Sequence, residues 1–160
     1  MDQQVGARFR DVMGGFPTGV TVVAACLPGS EPWGLTVNSF TSVSLDPPLV
    51  LVCIQKDGQS HQRLLDTEWF AVSILAAEQA EIARRFSSEP TGNRFEDVKW
   101  SEAGRGSPIL DDAAAWLECS IQEVMPGGDH SIVIGRVESW GTSERGALLF
   151  YSGEYKAAVL

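Results

Sequence analysis

Short apolar runs rich in β-branched residues recur along the whole chain, and their spacing constrains the fold more than any other feature. Runs of this kind, bounded by turn-forming residues, are typical of β-strands. They occupy residues 20–25, 33–39, 49–54, 70–75, 132–140 and 148–151. Gly and Pro residues at 28–32 and 46–48 predict sharp turns between the first three runs. The run at 49–54 is continuously apolar, so we expect it to be buried on both faces.

The segment at 113–124 admits two interpretations. Three alanines in a row at 113–115 favour a helix. Leu117, Cys119 and Ile121 alternate with polar residues, which favours a half-exposed strand. The alternation is strict, so we predict a strand here.

Other segments predict helices. Apolar residues recur at helical spacing near the N-terminus, so residues 2–14 are predicted to form an amphipathic helix. Ser60 is expected to cap a short helix at 60–65. Residues 76–86 contain good helix formers, whereas 87–110 are polar and Gly-rich and predict a long loop.

Together these elements predict a mainly β fold of about seven strands with two or three helices. Hairpin-linked strands with few crossover helices favour an antiparallel barrel over a doubly wound sheet. No internal repeat, low-complexity segment or linker divides the sequence, so residues 1–160 are expected to form a single domain.

Charge and cysteine content exclude several classes of partner. The net charge of −9 argues against nucleic acid or an anionic membrane surface as the main partner. The N-terminal residues are polar, and no apolar run approaches the ~20 residues of a membrane span, so we expect a cytoplasmic protein without a signal peptide. Cys26, Cys53 and Cys119 are far apart and form no CxxC pair, so neither a disulfide framework nor a metal site is predicted.

Common catalytic motifs are absent from the sequence. It has no GxGxxG after a strand, no Walker loop, no HExxH and no GxSxG. The carboxylates are scattered over polar positions and are interpreted as a solvated acidic surface. The sequence therefore predicts neither nucleophilic hydrolysis nor metal catalysis.

Certain stretches combine small polar side chains with glycine or proline, and each has both a binding and a structural interpretation. Residues 34–48 would let a flat ligand approach the backbone, or form a Ser/Thr-rich edge strand. Residues 56–61 suit a phosphate, or an ordinary capped turn. His130, after two glycines, would reach a ligand, or lie in a turn. Residues 148–155 would wall an aromatic pocket, or close a barrel.

The order of these motifs carries a family resemblance. The chain resembles the short-chain flavin reductase family, which has the FMN-binding split-barrel fold, and the match covers nearly the whole chain. The matching segments are FPTGVTVV at 16–23, TVNSF at 36–40, SVS at 42–44, DPP at 46–48, FAVSIL at 70–75, GDH at 128–130 and IGRV at 134–137. Each motif alone is weak, but the ordered set is specific.

The resemblance implies a homodimer with a flavin in a groove near the subunit interface. It implies transfer of a hydride from NADH or NADPH to FMN or FAD, and delivery of the reduced flavin to a partner monooxygenase. In such a reaction the cofactors perform the electron chemistry, which is why no acid–base dyad is required. The alternative is an FMN-binding electron-transfer or flavin-carrier protein without efficient nicotinamide turnover.

The resemblance also implies a set of site residues. The flavin ring would lie against Thr36, Val37, Asn38 and Ser39, with Ser42, Val43 and Ser44 close by. The stretch that holds the ribityl chain and phosphate corresponds to Cys53, Ile54, Gln55, Lys56 and Ser60. The helix end that flanks the flavin corresponds to Arg84, Arg85 and Phe86. His130 matches the catalytic histidine beside the nicotinamide, and Tyr151 falls where the last family strand approaches the site.

Overall fold

The computed structural model describes residues 3–88 and 90–158. The helices are α1 (Gln3–Gly14), α2 (Gln59–Leu65) and α3 (Ala80–Ser88), and a short 3₁₀ helix covers Thr91–Asn93. The strands are β1 (Thr18–Gly19), β2 (Thr21–Ala25), β3 (Trp33–Val37), β4 (Phe40–Leu45), β5 (Pro48–Gln55), β6 (Trp69–Ile74), β7 (Trp100–Glu102), β8 (Pro108–Leu110), β9 (Ala115–Gly127), β10 (His130–Thr142), β11 (Leu148–Tyr151) and β12 (Glu154–Ala157).

The strands form antiparallel sheets, as the hairpin-rich sequence predicts. The main sheet has seven strands in the order β3-β2-β6-β9-β10-β5-β4. A smaller sheet has the order β1-β11-β12, and β7 and β8 form a separate hairpin. β3 and β5 lie near opposite ends of the main strand order and yet contact each other, so the main sheet curls on itself. The mainly β, antiparallel fold class is therefore confirmed.

The core divides into two clusters because strands present alternate side chains to opposite faces. One cluster fills the inside of the curled sheet and includes Trp33, Val52 and Phe70. The other lies between the outer face, α3 and the small sheet, and includes Phe86 and Leu148. β2 contributes to both, since all five of its residues are buried. β5 alternates between buried and half-buried residues, so the predicted burial of both its faces is only partly observed.

Several boundaries differ from the sequence prediction. The helix predicted from residue 76 begins at Ala80, because the Gln79 side chain accepts the Ala76 N–H at 2.9 Å and Ala76 pairs with Ala147. The predicted capping role of Ser60 is wrong: Gly58 is the N-cap of α2, and Ser60 is buried within the helix. The strand interpretation of 113–124 is confirmed by β9.

The segment 87–110 is not the structureless loop that its polarity predicts. It holds the 3₁₀ helix and the β7–β8 hairpin. Phe95 packs edge-on between the rings of Phe86 and Trp100, and Leu110 is buried in the outer cluster. The structure also contains more strands than predicted. The short strand β1 pairs with β11, which is distant in sequence, and β7 and β8 form a short local hairpin.

The helix α1 confirms the N-terminal prediction over Gln3–Gly14, while residue 2 lies outside the described residues. Its apolar side chains do not enter either cluster: Phe9 is 61% exposed and Val12 is 74% exposed. At its end, the Gly14 carbonyl accepts the Ser152 N–H at 3.0 Å, which ties α1 to the turn after β11. Within the described residues, no helix has the length and apolar character needed to cross a membrane.

Candidate functional site

A large groove, which we call the α1 groove, opens between the end of α1, the β3–β4 connection and the end of β11. Its volume is about 1140 Å³. The residues that line it include Phe16, Thr18, Asn38, Ser39, Cys53 and Phe150. It combines aromatic walls with small polar side chains, which is the usual composition of a site for a flat ligand.

The polar wall of the α1 groove is held in place by Ser39. Its hydroxyl donates to the Cys53 carbonyl at 2.9 Å, and its backbone carbonyl and hydroxyl both lie within reach of the Cys53 N–H, at 3.3 and 3.2 Å. These contacts fasten the β3–β4 connection onto β5. The neighbouring Asn38 is left exposed in the groove wall.

Thr18 contributes an unsatisfied polar atom to the same groove. Among the described residues, none makes a hydrogen bond with its buried Oγ1. A buried hydroxyl without a partner costs free energy, which a ligand atom at this position would recover. The groove therefore suits a ligand with polar atoms at its edge.

A second groove, which we call the Arg94 groove, lies between β3, β5, α2 and α3. Its volume is about 600 Å³, and its lining includes Thr36, Ile54, Gln55, Ser60, Phe86 and Arg94. Arg94 Nη1 donates to the Gly34 carbonyl at 2.7 Å, and Thr36 Oγ1 donates to the Ala83 carbonyl at 2.7 Å. Partial burial lowers the pKa of Arg94 from its ordinary value, because burial disfavours the charged form. The two grooves share the ends of β3 and β5.

His130 lies beside the Arg94 groove at the start of β10, where it pairs with Gln55 of β5. Its Nδ1 lies 2.7 Å from Asp129 Oδ1, and this hydrogen bond lowers the pKa of the Asp129 carboxyl. Lys56 holds the turn from the other side: Nζ donates to the Gly128 carbonyl at 2.8 Å, and its N–H donates to the Asp129 carbonyl at 2.9 Å. Since a carboxylate only accepts hydrogen bonds, Nδ1 carries the proton that is shared with Asp129. Nε2 is the ring nitrogen that Asp129 does not contact.

The structure gathers many of the predicted site residues around these two grooves. Asn38, Ser39 and Cys53 line the α1 groove. Five others line the Arg94 groove: Thr36, Ile54, Gln55, Ser60 and Phe86. Lys56 and His130 stand at the β9–β10 turn next to it.

The remaining predicted residues lie elsewhere in this chain. Val37 is buried in the inner cluster. Ser42, Val43 and Ser44 lie on the edge strand β4, where the first two are exposed. Arg84 and Arg85 face a charged groove along α3, Arg84 paired with Glu81 and Arg85 with the Glu96 carbonyl. Their roles at a ligand stay predictions.

Tyr151 lies on β11 beside a residue that lines the α1 groove, and its own role at a ligand stays a prediction. It is 40% exposed and faces Lys156, whose Nζ lies 5.8 Å from the ring centroid. The residue before it, Phe150, lines the α1 groove instead. Adjacent residues of a strand face opposite sides, so Phe150 and Tyr151 point to different faces of β11.

Sequence reasoning also missed Phe16, Thr18 and Arg94 as lining residues. The first two belong to the FPTG segment, to which the motif assigned no role. Arg94 lies in the polar 87–110 segment, and no local pattern distinguishes it from a solvated arginine. Its contact with Gly34 spans 60 residues of sequence.

The chain is similar to known proteins over most of its length. A family model described as a flavin reductase like domain matches residues 13–158. The reductase subunit of stachydrine N-demethylase from Rhizobium meliloti (strain 1021) is 43% identical over 148 residues, which are 92% of this chain and 64% of that protein. The reductase component of the flavin-dependent trigonelline monooxygenase from Acinetobacter baylyi is 40% identical over 91% of this chain and 47% of that protein. The chain therefore spans less than two thirds of the length of these two relatives.

Three further similarities cover most of both chains. An NADH-dependent FAD reductase of Streptomyces globisporus is 45% identical over 98% of this chain and 87% of that protein. The structure of the NADH:FAD oxidoreductase of Streptomyces globisporus C-1027 superposes with a TM-score of 0.92, at 45% identity, covering 99% of this chain and 96% of the other. The flavin reductase component of a bacterial two-component tryptophan halogenase superposes with a TM-score of 0.88, at 38% identity, covering 95% and 97%.

Proposed function

The chain belongs to the flavin reductase-like domain family, and on that basis we propose that it is an NADH-dependent flavin reductase that transfers a hydride from NADH to FAD or FMN. The observation that carries the proposal is the match over residues 13–158, which contains the Arg94 groove, most of the α1 groove and the β9–β10 turn. The relatives with NADH and FAD in their names favour that pair over NADPH and FMN.

The residues of the α1 groove fit a flavin. An isoalloxazine ring is flat and apolar on its faces, with polar atoms at its edge, and the groove offers Phe16 and Phe150 together with Thr18, Asn38 and Ser39. Thr18 Oγ1 has no hydrogen-bond partner among the described residues. A hydroxyl can both donate and accept a hydrogen bond, as the polar edge of such a ring requires. A bound flavin supplies the electron-accepting chemistry, and the chain supplies binding and orientation.

The chain's own residues have distinct tasks in this proposal. Ser39 holds the β3–β4 connection rigid through Cys53, so that Asn38 is presented to the ring edge without reorganisation. Gln55 and Ser60 hold the ribityl chain from the side of the Arg94 groove.

His130 is proposed to contact the nicotinamide. Its Nδ1 is occupied by Asp129, so Nε2 is the atom that meets the carboxamide or a phosphate of NADH. The Lys56 contacts fix the backbone of the turn and therefore the position of the imidazole. Positioning of the donor relative to the acceptor is what this reaction chiefly needs from the protein.

We propose that the protein is a homodimer. Phe9, Val12 and Phe16 expose 61, 74 and 65% of their surface, and a dimer would bury this face at a gain of about 25 cal/mol per Å² of apolar area. Phe16 also lines the α1 groove, so a subunit that covers α1 would stand beside the flavin. A light-scattering mass of 17.3 kDa at micromolar concentration would contradict the dimer.

The partner proposed for the reduced flavin is a monooxygenase, since several relatives are named as reductase components of such systems. A cytoplasmic location stays a prediction from the sequence.

The function is tested by measuring oxidation of NADH and NADPH at 340 nm with FMN, FAD or riboflavin added. We expect turnover that requires a flavin and is faster with NADH. Background rates with every combination would contradict the enzyme. A protein that binds FMN but leaves NADH unoxidised would instead be an electron-transfer or carrier protein.

A further inference from the structure

A side-chain hydrogen bond outside both grooves joins the elements on which the proposed flavin and nicotinamide contacts lie. Nε2 of His61 and Oγ of Ser131 lie 2.8 Å apart, although 70 positions separate the two residues in the sequence. We propose that His61 is a positioning residue for hydride transfer, because its bond to Ser131 fixes the flavin side of the site relative to the nicotinamide side. This inference rests on the proposed function and adds to it a residue that lines neither groove.

The two ends of the bond lie next to proposed site residues. His61 is the third residue of α2 and directly follows Ser60, which lines the Arg94 groove. Ser131 is the second residue of β10 and directly follows His130. In the proposed function Ser60 contacts the flavin and His130 contacts the nicotinamide. The bond therefore links the two sides whose relative position controls the reaction.

The bond is the directional anchor of α2. Leu64 lies three residues after His61, so both side chains project from the same side of the helix, and Leu64 is fully buried in the inner cluster. Apolar contacts of this kind are not directional. The connection from Lys56 to α2 is formed by Asp57 and Gly58, which are exposed, so packing does not fix the direction in which the helix leaves it. Among the described residues, the bond from His61 is the only hydrogen bond between α2 and β10.

The surroundings of the bond keep water from replacing it. Ser131 is 5% exposed, and Ile54, its partner in the β5–β10 pair, is 1% exposed. A buried hydroxyl that loses its hydrogen-bond partner costs free energy, so folding maintains the contact. The Ser131 hydroxyl can donate to a bare Nε2 or accept from Nε2–H, so the contact forms with either tautomer of His61.

The experiment compares His61→Leu with the matched control Gln62→Leu. Both variants place the same side chain in α2 and remove one side-chain hydrogen bond, since Gln62 Nε2 donates to Asp66 Oδ1 at 2.8 Å on the exposed side of the helix. Reduction of bound FMN by saturating NADH is followed anaerobically by stopped flow, and the Kd for FMN is measured by fluorescence quenching.

In His61→Leu we expect the reduction rate at saturating NADH to fall about tenfold, within the loss of up to ~100-fold that a misplacement of about 1 Å causes. The Kd for FMN should change less than about threefold, because each side of the site keeps its own contacts and only their relative position is altered. Gln62→Leu should resemble the wild type in both measurements.

A second measurement follows the stacking of the two rings without turnover. Reduced FMN in contact with NAD⁺ produces a long-wavelength charge-transfer absorbance, and its amplitude at saturating ligand depends on how the rings overlap. This amplitude should decrease in His61→Leu and stay at the wild-type level in Gln62→Leu. His61→Gln, whose side-chain amide can still bond to the Ser131 hydroxyl, should recover most of the rate and of the amplitude.

The double variant His61→Leu/Ser131→Ala separates positioning from stability. In His61→Leu the buried Ser131 hydroxyl has no partner, which lowers Tm, and removing the hydroxyl should restore part of that loss. The reduction rate should nevertheless stay as low as in His61→Leu, because the contact is still absent. Ser131→Ala alone should also lower the rate, so the test does not depend on the folding of one variant.

Three results would overturn the inference. A wild-type rate and amplitude in His61→Leu, together with a lower Tm, would make His61 a structural contact only. Recovery of the rate together with Tm in the double variant would show that stability controls the rate. A loss in His61→Gln equal to that in His61→Leu would show that the bond to Ser131 is not responsible. Failure of the proposed function looks different, because the wild type itself would then bind or reduce no flavin.

Discussion

Replacing Glu118 by Gln should destabilise the protein strongly, although Glu118 lies outside both grooves. Glu118 is 1% exposed on β9, and its carboxylate accepts the backbone N–H groups of Arg105 at 3.0 Å and Ser107 at 3.2 Å. It also accepts the Ser139 hydroxyl at 3.2 Å. The carboxylate therefore fastens the turn of the β7–β8 hairpin to the main sheet.

The magnitude follows from the type of hydrogen bond lost. Bonds to a charged acceptor contribute about 1.5–3 kcal/mol each, and neutral ones about 0.5–1.5 kcal/mol. In Glu118→Gln the same three donors face an uncharged amide. Its carbonyl oxygen can accept hydrogen bonds, but its NH₂ group is itself a donor. Relief of carboxylate desolvation offsets part of this loss, so we expect a net destabilisation of about 2–3 kcal/mol. For a domain of this size that corresponds to a decrease in Tm of roughly 4–12 °C.

The assay is thermal unfolding followed by far-UV circular dichroism, together with urea unfolding at the same protein concentration. The control is Glu138→Gln, which changes the net charge equally but has a side chain 40% exposed and paired loosely with Arg136 at 3.8 Å. It should cost less than about 1 kcal/mol. If both variants lower Tm equally, the carboxylate does not hold the hairpin and the reasoning is wrong.

The other predictions concern the site and the packing around it. Asn38→Leu should raise the Kd for FMN by about 5- to 150-fold, the loss of one hydrogen bond worth about 1–3 kcal/mol, with little change in Tm. His130→Ala should raise the KM for NADH or slow flavin reduction in stopped-flow experiments, while the Kd for FMN changes less than about twofold, since it loses one contact to the nicotinamide and none to the flavin. Gly135→Ala should destabilise by about 1–3 kcal/mol in urea, because a Cβ there would lie 2.6 Å from the Phe70 ring. Burial raises the pKa of Cys119 to about 12, so iodoacetamide at pH 8 should label it only in unfolded protein.

Each of these has a contrary outcome. An unchanged Kd in Asn38→Leu would move the ring site elsewhere. Equal reduction rates and nicotinamide dependence in His130→Ala would leave the histidine as a turn residue. Unchanged urea unfolding of Gly135→Ala would show that Phe70 moves aside freely, and labelling of Cys119 in the native state would show that β9 opens.

The sequence alone determined most of the strands and the family. β2, β5, β6 and β11 were predicted because runs of β-branched apolar residues between turn-forming residues favour strands. This signal lies entirely within neighbouring residues of the sequence. β9 was chosen over a helix because alternation with period two is a local pattern. Asn38, Ser39 and Cys53 were predicted at a site because the motif order is itself a property of the sequence.

Only the tertiary structure decided which residues meet. The β7–β8 hairpin is held by Glu118, the start of α3 by the Ala76–Ala147 pair, and Arg94 by Gly34. In each case the partner lies on another element, so local secondary-structure propensity does not predict the contact. Strand parity has the same origin, since the packing of the small β1-β11-β12 sheet against the rest of the structure decides whether Phe150 or its neighbour faces the α1 groove. Propensity acts between adjacent residues, whereas burial and hydrogen-bond partners depend on contacts that exist only once the sheet has closed around its core.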